Sequence, residues 1–296
     1  MTLETILARQ PNQLALIIGN GIHRYNSDGN RNSWDGMLLE LWVRHTDEDP
    51  KDIPRGISLT EFYDALDLSS ASKTKNLQKE FCEFLVGWNA KAHHHAIMDW
   101  AKRHSAPVLT TNFDETLSDC AGLTLHHSDS SRFTDFYPWA SYFSAEEINN
   151  PAQDFAVWHI NGIKRYSRSV RLGLSHYMGS VERARSLIHK GGDGRLFSES
   201  NKGNWNGRNT WLHIIFNNDL LFVGLGLDSA EVFLRWLLIE RAKYFKTFPE
   251  RARKAWYVHA GGDLSPGQTL FLKSVGCEIV KEDSYDALYA GCWSVL

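Results

Sequence analysis

Cysteine is scarce in this chain: its four copies, Cys82, Cys120, Cys277 and Cys292, are far apart and never form C-x-x-C. That excludes a local zinc-ribbon signature, and widely separated thiols in a long chain fit a reducing compartment better than a disulfide framework. Long apolar runs are also missing, so no stretch approaches membrane-spanning length. The opening Met1-Thr2-Leu3-Glu4-Thr5 lacks the charged-then-apolar pattern of a signal peptide. The expectation is a soluble, cytoplasmic protein without a membrane partner. Positive charge is not in excess: 32 Lys and Arg stand against 35 Asp and Glu, a net −3. This argues against a dominant nucleic-acid surface, so nucleic acid would matter only indirectly. Paired-carboxylate metal motifs are not visible, which disfavours a nuclease. No internal repeat, low-complexity tract or dividing linker appears, and one domain over 1–296 is expected.

What is there suffices for a sizeable core, since 43% of the 296 residues are hydrophobic and 23% charged. Eleven Trp residues suit cores, nucleotide pockets and subunit interfaces alike.

The chain reads as organised around Pro107-Val108-Leu109-Thr110-Thr111-Asn112-Phe113-Asp114. The apolar run is that of a buried strand, and it stops at small polar groups before a helix beginning near Glu115-Thr116-Leu117. Open α/β sheets bind ligands beyond the carboxyl ends of their strands, where Asn112 and Asp114 would stand. Turn formation or helix capping is the plainer use of the same residues.

Other strands end in similar fashion. After a short leading helix, Leu14-Ala15-Leu16-Ile17-Ile18 has the unbroken apolar character of a strand covered on both faces. It runs into Gly19-Asn20-Gly21-Ile22, where two glycines let backbone approach a pyrophosphate or simply make a tight turn; Arg24 occupies the place of a third glycine. Ser33 is placed to cap a helix over Trp34-Asp35-Gly36-Met37-Leu38-Leu39. Residues from about 58 to 104 read as helical, with Phe81, Phe84, Leu85, Trp88 and Ala92 on one face, giving a lobe of about 50–104 inserted between two strands. His93-His94-His95 lacks the i, i+4 spacing of helical metal ligands, so a solvated or capping role is expected.

Beyond Asp114 the chain reads as irregular and aromatic-rich through Phe143, with structural use expected for His126-His127. A strand over Phe155-Ala156-Val157-Trp158 ends at His159-Ile160-Asn161-Gly162, which places His159 just past the strand, for acid–base work or as a turn histidine. Residues 191–209 read as a mobile surface loop. Asp219-Leu220-Leu221-Phe222-Val223 leads into Gly224-Leu225-Gly226, then a cap at Asp228-Ser229 and a helix bearing Val232, Phe233, Trp236 and Leu237. Trp256-Tyr257-Val258-His259 and Gly276-Cys277-Glu278-Ile279-Val280 complete a strand–helix–strand ending.

Taken in order from residue 14 to about 281, these motifs resemble the sirtuin-like family. Gly19-Asn20-Gly21-Ile22 is similar to its first glycine turn, with Asn20 in place of the usual alanine. Thr111-Asn112-Phe113-Asp114 resembles its Thr-x-Asn-x-Asp motif, and His159-Ile160-Asn161-Gly162 its catalytic His-Gly segment with two residues intervening. Gly224-Leu225-Gly226 resembles the late glycine turn. Ser33-Trp34 through Leu39 and Gly173-Leu174-Ser175-His176-Tyr177 are similar to the non-deacylase branch found in bacterial anti-phage defence proteins.

The resemblance implies an α/β fold with a Rossmann-like parallel sheet and a helical insertion lobe, hydrolysing NAD to nicotinamide and ADP-ribose. Asn112 would orient the attacking water or the nicotinamide ribose, His159 would be the base, and Asp114 would support the loop or the ribose. Gly19, Asn20 and Gly21 would cradle the pyrophosphate, and Gly224 and Gly226 would let backbone approach the adenosine half. The zinc cysteines of deacylases are lacking, so no zinc and no cofactor beyond the substrate NAD are expected. The sirtuin-like region nearly fills the chain, leaving regulation to self-assembly as a homo-oligomer or to a separately encoded sensor or ATPase partner. The competing readings are a non-hydrolytic nucleotide-binding assembly module and a sirtuin-type deacylase or ADP-ribosyltransferase.

Overall fold

The first strand shows how the layers arise. In Leu14–Ile18 (β1) all five residues are buried, and alternate side chains enter different cores: Ala15 and Ile17 one, Leu14, Leu16 and Ile18 another. An unbroken apolar run is what a strand covered on both faces requires. The computed structural model describes residues 1–9, 13–27, 33–70, 76–128, 134–136, 139–199, 204–227 and 231–294.

Before and after β1 come helices Leu3–Arg9 (α1), Gly21–Arg24 (α2), Trp34–His45 (α3), Leu59–Ser69 (α4), Leu77–Phe84 (α5) and Ala92–Arg103 (α6). Strand Val108–Thr110 (β2), helix Thr116–Cys120 (α7) and strands Thr124–His127 (β3), Ser141–Ser144 (β4) and Val157–His159 (β5) follow. Helices Leu174–His189 (α8) and Leu212–Asn217 (α9) precede strand Asp219–Val223 (β6) and helix Val232–Thr247 (α10). Strand Ala255–Ala260 (β7), helix Pro266–Ser274 (α11), strand Glu278–Glu282 (β8) and a π-helical turn, Ala287–Gly291, close the chain.

The eight strands form one sheet in the order β3-β4-β5-β2-β1-β6-β7-β8. From β5 to β8 every neighbouring pair is parallel, while β3 and β4 extend the edge antiparallel. The α/β, Rossmann-like sheet expected from the sequence is present. Its order reverses at β1, from which the chain steps outward through β2 and β5 on one side and through β6, β7 and β8 on the other. Apolar residues of α8, α9, α10 and α11 cover one face, and those of α1, α6 and α7 the other. A third core joins α3, α4 and α5 to Phe113, Val170 and Leu172. Among the described residues no helix is long and apolar enough to cross a membrane.

Four local expectations need correction. The continuous helical reading of 58–104 breaks into α4, α5 and α6; Gly87 turns left-handed at φ +84°, and extended Lys91 starts α6 afresh. α6 packs against the sheet, through Ile97, Met98, Trp100 and Ala101. The stretch read as irregular up to Phe143 holds β3 and β4, whose short polar-rich sequences Thr-Leu-His-His and Ser-Tyr-Phe-Ser lack an apolar run. The loop read over 191–209 is anchored where it is described: Leu196 and Trp205 are buried, and Trp205 Nε1 donates to His213 Nδ1 at 3.1 Å. His93 and His94 are not solvated but buried, and His94 does cap α6, its Nδ1 accepting from the Lys91 amide at 3.1 Å. The expected cap at Asp228-Ser229 lies outside the described residues.

Ser33 caps α3, its Oγ accepting from the Gly36 amide at 3.3 Å. A buried cation ties α10 to the sheet: Arg241, 2% exposed, donates through Nε to the Ile215 carbonyl at 2.8 Å. One terminal nitrogen reaches the carbonyls of Asn218, Arg253 and Lys254 at 3.2, 3.1 and 3.0 Å. Burial holds its guanidinium down at about 10, still charged near neutrality. Removing it strands several buried carbonyls, each costing about 1–3 kcal/mol when unsatisfied. Arg241→Ala should therefore lower unfolding free energy by about 3 kcal/mol or more in urea titration, and a loss below about 1 kcal/mol would show that water replaces the guanidinium.

Candidate functional site

Strand register sets the site. Ile18 of β1 lies level with Thr110 of β2 and Val223 of β6, so Gly19, Thr111 and Gly224 leave the sheet side by side. Here, where the strand order reverses, parallel sheets leave a crevice. A cavity of about 560 Å³ opens there, and Asn20, Gly21, Asn112, Asp114, Gly224 and Gly226 all line it. That volume is in the range of small-molecule sites.

The two glycine turns hold each other. Gly19 N donates to the Val223 carbonyl at 3.0 Å and Gly21 N to the Gly224 carbonyl at 2.7 Å. A Cβ on Gly19 would come within 2.6 Å of the Gly224 carbonyl oxygen, and one on Gly21 within 2.7 Å of the same atom. Two of the three amides expected to cradle a pyrophosphate are thus engaged inside the protein. These glycines permit loop-on-loop packing, Gly19 does not line the cavity, and Asn20, Gly21 and Arg24 form the wall on this side. Arg24, in the place of a third fingerprint glycine, is the one Lys or Arg among the described lining residues.

The second turn is fixed from behind. Tyr257 Oη donates to the Leu225 carbonyl at 2.7 Å, and Gln268 Nε2 to the Gly226 carbonyl at 2.9 Å. Gly224 adopts φ +67°, and its Cβ would meet Tyr289 Oη at 2.5 Å.

At the end of β2 the chain meets both the cavity and the helical lobe. Asn112, Phe113 and Asp114 all line the cavity, and Phe113 also packs into the core of the helical lobe, edge-on to Trp34 and Phe81, which border the cavity too. Thr110 Oγ1 donates to the Ile18 carbonyl at 3.0 Å and accepts from the Asn112 amide at 3.1 Å, tying this loop to β1. Asn112 Nδ2 reaches the Gly19 carbonyl at 3.4 Å. Asp114, 3% exposed, accepts from the Thr116 amide at 3.0 Å and lies 3.0 Å from His23 Nε2. Burial would raise its carboxyl, but His23 and the Thr116 hydrogen bonds outweigh that and hold it well below the carboxylate range.

His159 stands elsewhere than expected. It is the last residue of β5, level with Thr110, and so sits within the sheet, one layer below Asn112. Its Nδ1 donates to the Asn112 carbonyl at 2.8 Å, which leaves Nε2 as the acceptor of a neutral ring. Nε2 is buried without a protein partner. His159 lines not the cavity but a hollow of about 20 Å³, room for one water. Asn161 borders both spaces. Burial lowers the pKa of His159, opposed by the Asn112 carbonyl.

The structure thus gathers Asn20, Gly21, Asn112, Asp114, Gly224 and Gly226 and sets Gly19 and His159 behind them. His176 lines neither space; its Nδ1 accepts from the Leu172 and Gly173 amides, each at 3.3 Å. Sequence reasoning passed over Tyr257, Tyr285 and Tyr289, which line the far half of the cavity without any local motif. It also passed over His23, for which the adjacent His93-His94 pair was the available signal. All four cysteines are free thiols, and among the described residues no cluster of His, Cys, Asp and Glu is arranged as a metal site. No protein-family model matches the chain, and no curated protein matches it in sequence.

Gly224 combines a left-handed backbone with a filled Cβ position, so Gly224→Ala should destabilise the fold by about 1–3 kcal/mol. Urea unfolding measures this; an unchanged midpoint would mean that Tyr289 withdraws freely.

Proposed function

We propose that the chain is an NAD glycohydrolase, which cleaves the bond between nicotinamide and ribose and passes the ribosyl carbon to water, giving nicotinamide and ADP-ribose. One observation carries this reading: polar and glycine residues from three strand ends, Asn112 and Asp114 with Asn20-Gly21 and Gly224–Gly226, converge on one cavity where the strand order reverses. In the proposed complex Arg24 and Asn20 face the pyrophosphate, the adenosine half lies toward Gly226, Tyr257 and Tyr285, and the nicotinamide ribose meets Asn112 and Asp114.

The chemistry asks little of the protein. Nicotinamide leaves as a neutral molecule from a cationic ring, so no general acid is required. Positive charge grows on the ribose as the bond lengthens, and a carboxylate held ionised at Asp114 stabilises it. Asn112 orients the ribose or the water. His159 serves as base through Nε2 by relay: a water in its hollow, beside Asn161, takes the proton of the attacking water in the cavity and passes one to Nε2. By the same reading, a homo-oligomeric enzyme, gated by a separately encoded partner, depletes NAD in defence against phage. A nucleotide-binding assembly module would use the same cavity without turnover.

Nicotinamide release from NAD by the activated protein is the deciding assay. Asn112→Ala should lower it by about 100-fold or more while leaving the melting temperature unchanged. Full turnover in the variant would remove Asn112 from the reaction, and NAD bound by calorimetry but never cleaved would favour the assembly module.

The pH profile tests the base. Burial keeps the His159 ring neutral to lower pH than an ordinary histidine, so the acid limb of kcat/KM should fall below pH about 6.5. A limb above that value, or one that survives His159→Gln, would assign the base to another group.

A further inference from the structure

Three histidines from two elements stand behind Asp114, and the glycohydrolase mechanism uses none of them. His23 of α2 and His93 and His94 of α6 are 4%, 6% and 1% exposed. His93 Nε2 donates to the Ile22 carbonyl at 2.8 Å and holds α2 against α6. The other two form a chain whose direction is set at its far end.

The Lys91 backbone N–H donates to His94 Nδ1 at 3.1 Å. A backbone amide cannot accept, so Nδ1 carries no proton and a neutral His94 must carry it on Nε2. That Nε2 lies 3.2 Å from His23 Nδ1, which is therefore the acceptor. His23 in turn keeps its proton on Nε2, 3.0 Å from Asp114 Oδ2. The other carboxylate oxygen, Oδ1, accepts from the Thr116 amide at 3.0 Å. Both hydrogen bonds of His94 run the same way, from the first turn of α6 to His23, whose Nε2 makes the 3.0 Å ion-pair contact with Asp114 on the cavity wall. The ring edge of Trp88, with centroids 4.9 Å apart, closes off His23 from the side.

We propose that His23 and His94 are positioning residues: one-way hydrogen bonds from the Lys91 amide through His94 orient His23, whose Nε2 contact holds Asp114 as an acceptor-only carboxylate on the cavity wall. The role of that carboxylate rests on the glycohydrolase reading; the direction of the chain does not. A carboxylate offers about four acceptor sites; His23 with the Thr116 amide and hydroxyl occupies three, leaving one for a hydroxyl group of a bound ribose. Protonation of Asp114 at its cavity-facing site would place a proton donor where the ribose hydroxyl must donate. A second proton on His23 would need His94 Nε2 as acceptor, forcing a proton onto His94 Nδ1 against the Lys91 N–H. Burial holds His94 down at about 3, which keeps that ring neutral.

The test has two arms. Selective ¹⁵N-histidine labelling, assigned through single variants, reads the tautomers directly. His94 is expected as a neutral Nε2–H ring at pH 7 and His23 with an unprotonated Nδ1, with His159 as the Nδ1–H contrast. A proton on Nδ1 of either ring in the chain overturns the proposal whether or not NAD is cleaved.

The second arm compares two variants. H94N keeps an acceptor near Nδ1 for the Lys91 cap and loses the donor to His23. H94Q keeps a donor near Nε2 and loses the cap. Positioning predicts that H94N lowers kcat by roughly 10–100-fold with little change in KM, and that H94Q recovers most of that loss despite a lower melting temperature. Equal losses that follow the melting temperatures would make the histidines merely structural and overturn the proposal. Expected tautomers beside a wild-type protein that neither binds nor cleaves NAD would sink the glycohydrolase reading alone.

Discussion

The contact between the β1 and β6 turns is the constraint on which the site depends. Two segments about 200 residues apart meet with Gly21 N on the Gly224 carbonyl at 2.7 Å, too close for a Cβ on Gly19 or Gly21. Because β1 and β6 are parallel and in register over five pairs, both turns leave the sheet at one level. The floor of the crevice is fixed by hydrogen-bonded backbone, and side chains reach it from the β2 loop, the helical lobe and the C-terminal strands. The C-terminal turn braces this contact. Tyr289 reaches under both loops and stacks on Tyr25 with centroids 5.0 Å apart, while Tyr25 hydrogen-bonds Asp286. The last described elements of the chain thus complete the first turn of the sheet.

Much of this frame was legible in the sequence because a strand buried on both faces needs an unbroken apolar run. β1, β2 and β6 have such runs, and the residues following them line the cavity. What escaped depended on distant partners. β3 and β4 carry no apolar run and exist by pairing with each other and with β5. The break at Gly87 lay inside a stretch whose apolar spacing continued across it. Trp205, in a segment rich in Gly and Asn, found its partner in His213. For His159 the difference was a single step of register. Read as following its strand, it would face the crevice; paired with Thr110, it belongs to the strand and sits beneath Asn112.

The histidines illustrate the same limit from the other side. Consecutive helical residues point in different directions, which argued against a local metal site at His93-His94-His95. The inference that they are solvated does not follow, because two of three adjacent positions can face inward when α6 lies on the sheet. His23, 71 residues away, supplies the polar partner that makes burying His94 tolerable. Without it, an imidazole at 1% exposure would leave a polar nitrogen stranded.

Phe113 joins the two halves of the molecule. It lines the cavity together with Asn112 and Asp114, and its ring is also packed among α3, α4 and α5. The segment after Asn161 does likewise: Val170 and Leu172 enter the lobe core, and the Arg171 amide holds the Asn161 carbonyl at 2.9 Å. Asp64 of α4 accepts from the Leu174 amide at 2.9 Å, and Gln78 of α5 donates to the Val170 carbonyl at 2.8 Å. Both polar loops that border the crevice are therefore clamped by the helical lobe as well as by the sheet. Close-packed interiors transmit displacement instead of absorbing it, so the lobe cannot shift on the sheet without moving Asn112, Asp114 and Asn161. The lobe is thus part of the site's geometry, although most of its residues never touch the cavity.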